Sequence, residues 1–141
     1  MLMNLNAPLS VSNNAVSSDY LEKSALSFIN LRLNFDPDTI DKNHALILRF
    51  ASSGAYQGLK KTLDDEATSV KAQGIASNFY SDSIHINRST LSVLLGGKLV
   101  RSVVHKSLPT VNTQFLITFK NNDGFLSIEK FVEEKESAER E

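Results

Sequence analysis

Three segments in the first half of the chain space their apolar residues at the intervals of an α-helix. The first begins at Ser17 or Ser18, whose side chains can cap a helix, and places Glu22 in the first turn. It should run to about Asn34. The face that this helix should bury in a core holds Leu21, Ala25, Phe28, Ile29 and Arg32.

Two more helices are predicted before residue 75. Asp36 is placed to cap the second helix and Pro37 to occupy its first position, since proline fits the first helical turn. The apolar side of this helix holds Ile40, His44, Ile47 and Leu48. After Ser52-Ser53-Gly54, a third helix should end at Gly74, which is suited to a left-handed C-cap. Its buried face should hold Tyr56, Leu59, Leu63, Ala67 and Val70.

After Gly74 the pattern alternates with a period of two, which predicts antiparallel strands. In the first strand, Tyr80, Ile84 and Ile86 should share one face. The second strand, from about Thr90 to Val104, contains Gly96-Gly97, where a bulge or bend is expected.

The last hairpin is the clearest local feature. If Asp123-Gly124 form a two-residue turn, the predicted pairs are Phe119 with Ile128, Ile117 with Lys130 and Phe115 with Val132. The order of elements predicts an α+β fold, in which three helices pack on one side of a curved antiparallel sheet of about four strands. Residues 1–16 are predicted to be an extended arm, 17–133 a single domain, and 134–141 a flexible acidic tail.

Composition excludes several classes of protein. Of 141 residues, 15 are Lys or Arg and 16 are Asp or Glu, so no one-sided basic surface for nucleic acid is expected. The absence of cysteine removes thiol nucleophiles and thiolate metal sites. No apolar run approaches the roughly 18 residues of a membrane span, and Met1–Ser10 lacks the pattern of a signal peptide.

No catalytic, cofactor-binding or metal-binding set is predicted. The three histidines share no ligand spacing, and His44 is expected to be a boundary residue with its hydrogen bonds satisfied. Asp64-Asp65-Glu66 alternates with lysines and is predicted to lie on a solvated helix face. A cone-shaped fold can nevertheless enclose a pocket, as in small isomerases and dehydratases, and the candidates for such an enzyme are Asp82, His85 and His105.

Several segments resemble the TraE family of F-type conjugation systems, in the order found in that family. The resemblance extends from about Asn6 to Glu134, and its most specific part is Ala25–Asn34. The other similar segments are Asn6–Ser12, Asp19–Leu21, Thr39–Asp41, Gly54-Ala55, Leu63–Ala67, Phe79-Tyr80 before Ser83-Ile84, Gly97–Val100 and Phe115–Gly124.

The resemblance implies a non-enzymatic inner-membrane component of a type IV secretion machine, related in fold to the eighth VirB component. Its periplasmic domain would have the cystatin-like cone of nuclear transport factor. A membrane helix would precede residue 1 in the intact protein, and the partners would be other secretion components. The Asn-Pro-x-Gly turn of VirB-type relatives is missing, since Pro109 lies in Leu108-Pro109-Thr110.

Self-association is predicted from surplus apolar surface on the first helix. Residues such as Tyr20 and Leu31 lie partly outside the face that one core can bury. We therefore expect a weak homodimer or higher oligomer, with Tyr20 and Leu31 as contact residues. The alternative function is a small-molecule-binding protein or an isomerase-like or dehydratase-like enzyme that uses the cone pocket.

Overall fold

Three helices precede an antiparallel sheet, which confirms the predicted α+β order. The computed structural model describes residues 16–104 and 106–134, so most of the predicted arm, His105 and residues 135–141 lie outside the described part. The elements are α1 (Ser18–Leu33), α2 (Ile40–Arg49), α3 (Tyr56–Gln73), β1 (Ile75–Asn87), β2 (Ser92–Val103), β3 (Lys106–Ser107), β4 (Val111–Asn122) and β5 (Phe125–Glu134).

The first helix follows its sequence signals closely. The Ser17 hydroxyl accepts a hydrogen bond from the Tyr20 N–H at 3.0 Å, which caps the helix, and Asn34 ends it. All five residues of the predicted face are buried, including Arg32. At the other end of the helical region, Gly74 caps α3 in the left-handed conformation with φ 68°, as expected.

The second helix begins later than predicted. Asp36 Oδ1 accepts hydrogen bonds from the Asp38 and Thr39 N–H groups at 2.8 and 2.9 Å, so it caps the turn that contains Pro37. The helix itself starts at Ile40, because this turn uses the residues predicted to form its first turn.

His44 is not satisfied in the way that the sequence suggested. Its side chain is buried, and Nε2 has no hydrogen-bond partner in the described part of the chain. Burial lowers the pKa of His44 below its usual value of 6.5, and this effect outweighs the nearby carboxylate of Glu66, which raises it.

The sheet has the strand order β1-β2-β4-β5, with every pairing antiparallel, and the short β3 pairs with the end of β2. The helices cover the inner face, where side chains on adjacent strands form continuous rows. One such row runs from Val93 through Ile117 to Phe131, and all three are buried. These rows and the apolar face of α1 form the main core.

A bulge in β1 lies opposite the glycine pair. Ser81 pairs with Gly97 and Ser83 with Gly96, so Asp82 is the extra residue. The predicted irregularity at Gly96-Gly97 of β2 is confirmed, although the extra residue lies in β1 and not in β2. The bulge reverses the facing of the side chains, so Phe79 is buried and Tyr80 is 61% exposed, whereas Ile84 and Ile86 contact the core. The prediction that Tyr80 shares their face is therefore wrong.

A second bulge changes the register of the last hairpin. The Asp123-Gly124 turn and the pairing of Phe119 with Ile128 are confirmed, with positive φ angles of 57° and 93° in the turn. The next pair away from the turn is Thr118 with Lys130, so β5 has one extra residue, Glu129, between Ile128 and Lys130. The other two predicted pairs are wrong by one residue: Ile117 pairs with Phe131, and Phe115 pairs with Glu133.

The glycine pair gives a matched test of the β1 bulge. A Cβ at Gly97 would contact the Tyr80 carbonyl oxygen and lie 2.7 Å from Cζ of Phe79, whereas one at Gly96 would meet the Ser83 hydroxyl at 2.6 Å. Since backbone cannot move aside as a serine side chain can, Gly97→Ala should destabilise the fold by about 1–3 kcal/mol. Gly96→Ala should cost clearly less. Equal unfolding midpoints in urea would contradict this account.

His44 should make stability depend on pH. Below pH 6.5 the unfolded chain binds a proton at His44 that the folded chain binds only at lower pH, because burial lowers the folded pKa. The free energy of unfolding should therefore decline as the pH falls below that value, and His44→Leu should flatten the decline. Urea unfolding between pH 7.5 and 5 measures this decline. The control is His85→Gln, a substitution of an exposed histidine. An unchanged slope in His44→Leu would be the contrary result.

Candidate interaction surfaces

A buried arginine joins the helices to the sheet. Arg32, in the last turn of α1, is 3% exposed. Its Nη2 and Nε donate to the two carboxylate oxygens of Glu66 on α3 at 2.6 and 3.3 Å, and its Nη1 donates to the Phe131 carbonyl on β5 at 2.6 Å. The guanidinium also lies 4.7 and 5.1 Å from the ring centroids of Phe131 and Phe115. These contacts link α1 to α3, β4 and β5 at one point.

The partner of Arg32 corrects one sequence expectation. Asp64 and Asp65 are exposed and pair with Lys60 and Lys61 one helical turn away, as a solvated face requires. Glu66, in contrast, turns inward to Arg32. The sequence did contain a signal for such a pair: Arg32 lies on a predicted apolar face, and a buried guanidinium needs a carboxylate or carbonyl acceptor.

Two cavities flank this link, and Arg32, Glu66 and Glu133 line both. The larger, about 440 Å³, lies between the first half of α3 and residues 128–133 of β5. The smaller, about 220 Å³, lies between the ends of α1 and α3 and the inner face of the sheet, where Ser77 and Arg101 reach it.

The residues predicted for an enzymatic alternative are not brought together. Asp82 is exposed in the β1 bulge and His85 is exposed further along β1, and neither lines either cavity. His105 lies outside the described residues. Within 16–104 and 106–134, no three His, Asp or Glu side chains are grouped to hold a metal ion.

The face of the sheet turned away from the helices carries exposed apolar side chains. Leu94 pairs with Leu116 and Leu116 with Val132, so these three form a row across β2, β4 and β5. Leu94 and Leu116 are partly exposed, whereas Val132, Tyr80 and Val100 are exposed, at 36%, 61% and 39%. We call the surface formed by these five residues the outer sheet face. Its apolar character is typical of a protein contact surface.

The two predicted self-association residues differ in exposure. Tyr20 is 43% exposed, whereas Leu31 is partly buried and packs against the core. They are eleven residues apart in α1, which places them on the same side of the helix about 16 Å from each other. The contact itself stays a prediction.

No helix in the described parts of the chain is long and apolar enough to cross a membrane.

The fold is similar to those of two solved structures from a known class of protein. It is similar to the periplasmic domain of DotI, with a TM-score of 0.68, 10% identity, and coverage of 86% of this chain and 97% of that one. It is also similar to VirB8 of Agrobacterium tumefaciens, with a TM-score of 0.61, 14% identity, and coverage of 83% and 92%. The chain therefore has the VirB8-like cone, as the resemblance implied.

Sequence comparison places the chain within that class. The family model described as TraE protein matches residues 3–133. Protein TraE of Salmonella typhi is 32% identical over 131 residues, which cover 93% of this chain and 70% of the relative. Protein TraE of Escherichia coli K12 is 31% identical over 132 residues, with the same coverage. The chain belongs to the TraE family.

Removing the counterion of Arg32 should be costly. Glu66→Gln keeps the shape of the side chain but leaves a buried guanidinium without a carboxylate. Because Glu66 is 38% exposed, we expect a loss of about 1–3 kcal/mol, below the range for a fully buried pair. Asp64→Asn, which breaks an exposed pair on the same helix, is the matched control and should lose less. Urea unfolding measures both, and equal losses would refute the structural role of Glu66.

Proposed function

We propose that this chain is a non-enzymatic assembly domain of a bacterial type IV secretion machine that serves conjugative transfer. Membership of the TraE family supports this, as does the likeness to the soluble domain of TrwG from the type IV secretion machinery of Bartonella grahamii (TM-score 0.64, 14% identity, 90% of this chain and 98% of that one). The domain would lie in the periplasm, attached to the inner membrane by a helix outside this chain.

The observation that carries the proposal is that the polar groups of the buried Arg32 link inside the cone are paired with one another. Arg32 and Glu66 line both of the cavities described above, and the polar groups of Arg32, Glu66 and the Phe131 carbonyl are bonded to one another. The residues proposed for catalysis that the structure describes, Asp82 and His85, are exposed elsewhere. Apolar surface is instead available outside, on the outer sheet face and at Tyr20.

Self-association would act together with membrane attachment. An anchor confines neighbouring copies to a plane and raises their effective concentration, so a contact of micromolar to millimolar strength suffices to form dimers there. Tyr20 and Leu31 on α1 are the proposed contact residues. The other partners would be components of the same machine, reached through surfaces that this contact leaves free.

One observation favours the alternative of small-molecule binding. The larger cavity, about 440 Å³, is within the volume range of ligand sites. The binding of a small molecule there would be compatible with an assembly role, and the lining holds the carboxylates of Glu129 and Glu133 besides the paired Glu66.

Matched tyrosine variants test the proposal. Tyr20→Ser should weaken a reversible dimer seen by sedimentation equilibrium at high protein concentration, and the same change in the membrane-anchored protein should reduce DNA transfer between cells. Tyr80→Ser, on the outer sheet face, is the control and should leave the dimer intact. Asp82→Asn and His85→Gln should leave transfer close to the native frequency. Thermal melting of each variant separates these effects from misfolding.

The contrary outcomes are distinct. A strictly monomeric chain at millimolar concentration would remove the α1 contact, and a dimer weakened by Tyr80→Ser alone would place it on the outer sheet face. A many-fold loss of transfer in a normally folded Asp82→Asn or His85→Gln variant would contradict the non-enzymatic function.

A further inference from the structure

The smaller cavity is lined by a partly exposed arginine whose side chain has no hydrogen-bond or salt-bridge partner within residues 16–104 and 106–134. Arg101 lies on the inner face of β2, where its Nε is buried and makes no hydrogen bond within the described structure. It also forms no salt bridge with any residue in 16–104 or 106–134. A buried, charged N–H group without an acceptor is costly, so this position favours an acceptor that the described chain does not supply.

Ser77 presents a second unpaired group beside it. Ser77 lies directly opposite Arg101 on β1, is 2% exposed, and has an Oγ without a hydrogen-bond partner among the described residues. Its backbone is held on the other edge of β1 by two hydrogen bonds with Phe35, at 2.8 and 3.0 Å. Side chains opposite each other on paired strands are neighbours, so two groups that can donate hydrogen bonds line the same cavity.

The remaining charges in the lining are already engaged. Glu66 accepts two hydrogen bonds from Arg32, and Glu133 Oε2 accepts one from the Thr113 hydroxyl at 2.8 Å. Glu133 keeps its negative charge, but Arg101 is the charged lining residue whose buried N–H lacks an acceptor within the described structure. An occupant that completes the site would bring oxygen acceptors for this N–H group.

We propose that Arg101 and Ser77 form a binding site for a carboxylate group. A carboxylate presents two acceptor oxygens, which suit a guanidinium N–H and an adjacent hydroxyl. The cavity of about 220 Å³ has room for an aspartate or glutamate side chain. The proposal goes beyond the assembly function and does not depend on it.

Two sources could supply the carboxylate. Residues 135–141 include Glu136, Glu139 and Glu141, and they follow β5, whose Glu133 lines the cavity. The second source is an acidic segment of another protein.

Nuclear magnetic resonance of the full chain distinguishes the two sources of the carboxylate through the Arg101 Nε–H signal. This signal is assigned by its loss in Arg101→Lys. In the first arm, Glu136, Glu139 and Glu141 are all changed to Gln. A shift of the Arg101 signal would assign the carboxylate to the chain itself. In the second arm, this variant is titrated with acetyl-Ala-Glu-Ala-amide and with the matched Gln peptide. A saturable shift with the Glu peptide alone supports the site.

Variants of the site itself provide the controls. In the chain that carries the three Gln substitutions, Arg101→Gln should weaken binding of the Glu peptide at least tenfold and Ser77→Ala several-fold. Because Arg101→Gln removes the Nε–H signal, binding to these variants is followed through the backbone amide signals of β1 and β2. Lys98→Gln, which removes a charge from the opposite face of the same strand, should have no effect. Thermal melting confirms that each variant is folded.

If the Arg101 signal shifts on tail substitution, or only with the Glu peptide, the site binds carboxylate. If it shifts in neither arm, or equally with the Gln peptide, the proposal is overturned. This result is independent of DNA transfer and of the α1 dimer, so its failure would leave the assembly function untouched.

Discussion

The burial of one positive charge organises the interior of this domain. Arg32 is placed on the apolar face of α1 by helical spacing, and its guanidinium must find acceptors because water is excluded there. Glu66 and the Phe131 carbonyl supply them, from α3 and β5. The helices and the far edge of the sheet are therefore fixed relative to each other by hydrogen bonds of defined direction, which apolar packing alone does not provide.

The same link shapes the lining of two cavities. Arg32 and Glu66 line both of them, and the charges of these two residues are paired with each other. The proposed assembly function would use these surfaces: the exposed part of α1, the outer sheet face, and the small cavity where Arg101 and Ser77 keep unpaired groups in the described structure.

Much of the site could not be predicted from the sequence. Glu66 looked like part of a solvated acidic run, and Arg101 was one of many scattered basic residues. Glu66 pairs with Arg32, which is 34 positions away in the sequence. Arg101 is placed beside Ser77 by the pairing of β1 with β2. His44 shows the same limit, since its apolar helix face predicted its position but not whether its ring nitrogen would find a partner.

The sequence by itself determined the elements, because helical and strand periodicity, the Ser17 cap, the Gly74 cap and the Asp123-Gly124 turn are local features. Only the tertiary structure decided which strand faces are buried beyond the two bulges. Each bulge adds one residue, at Asp82 or Glu129, and so exchanges the inner and outer faces of everything that follows in that strand. That choice depends on packing against neighbouring strands and helices, which no single segment encodes.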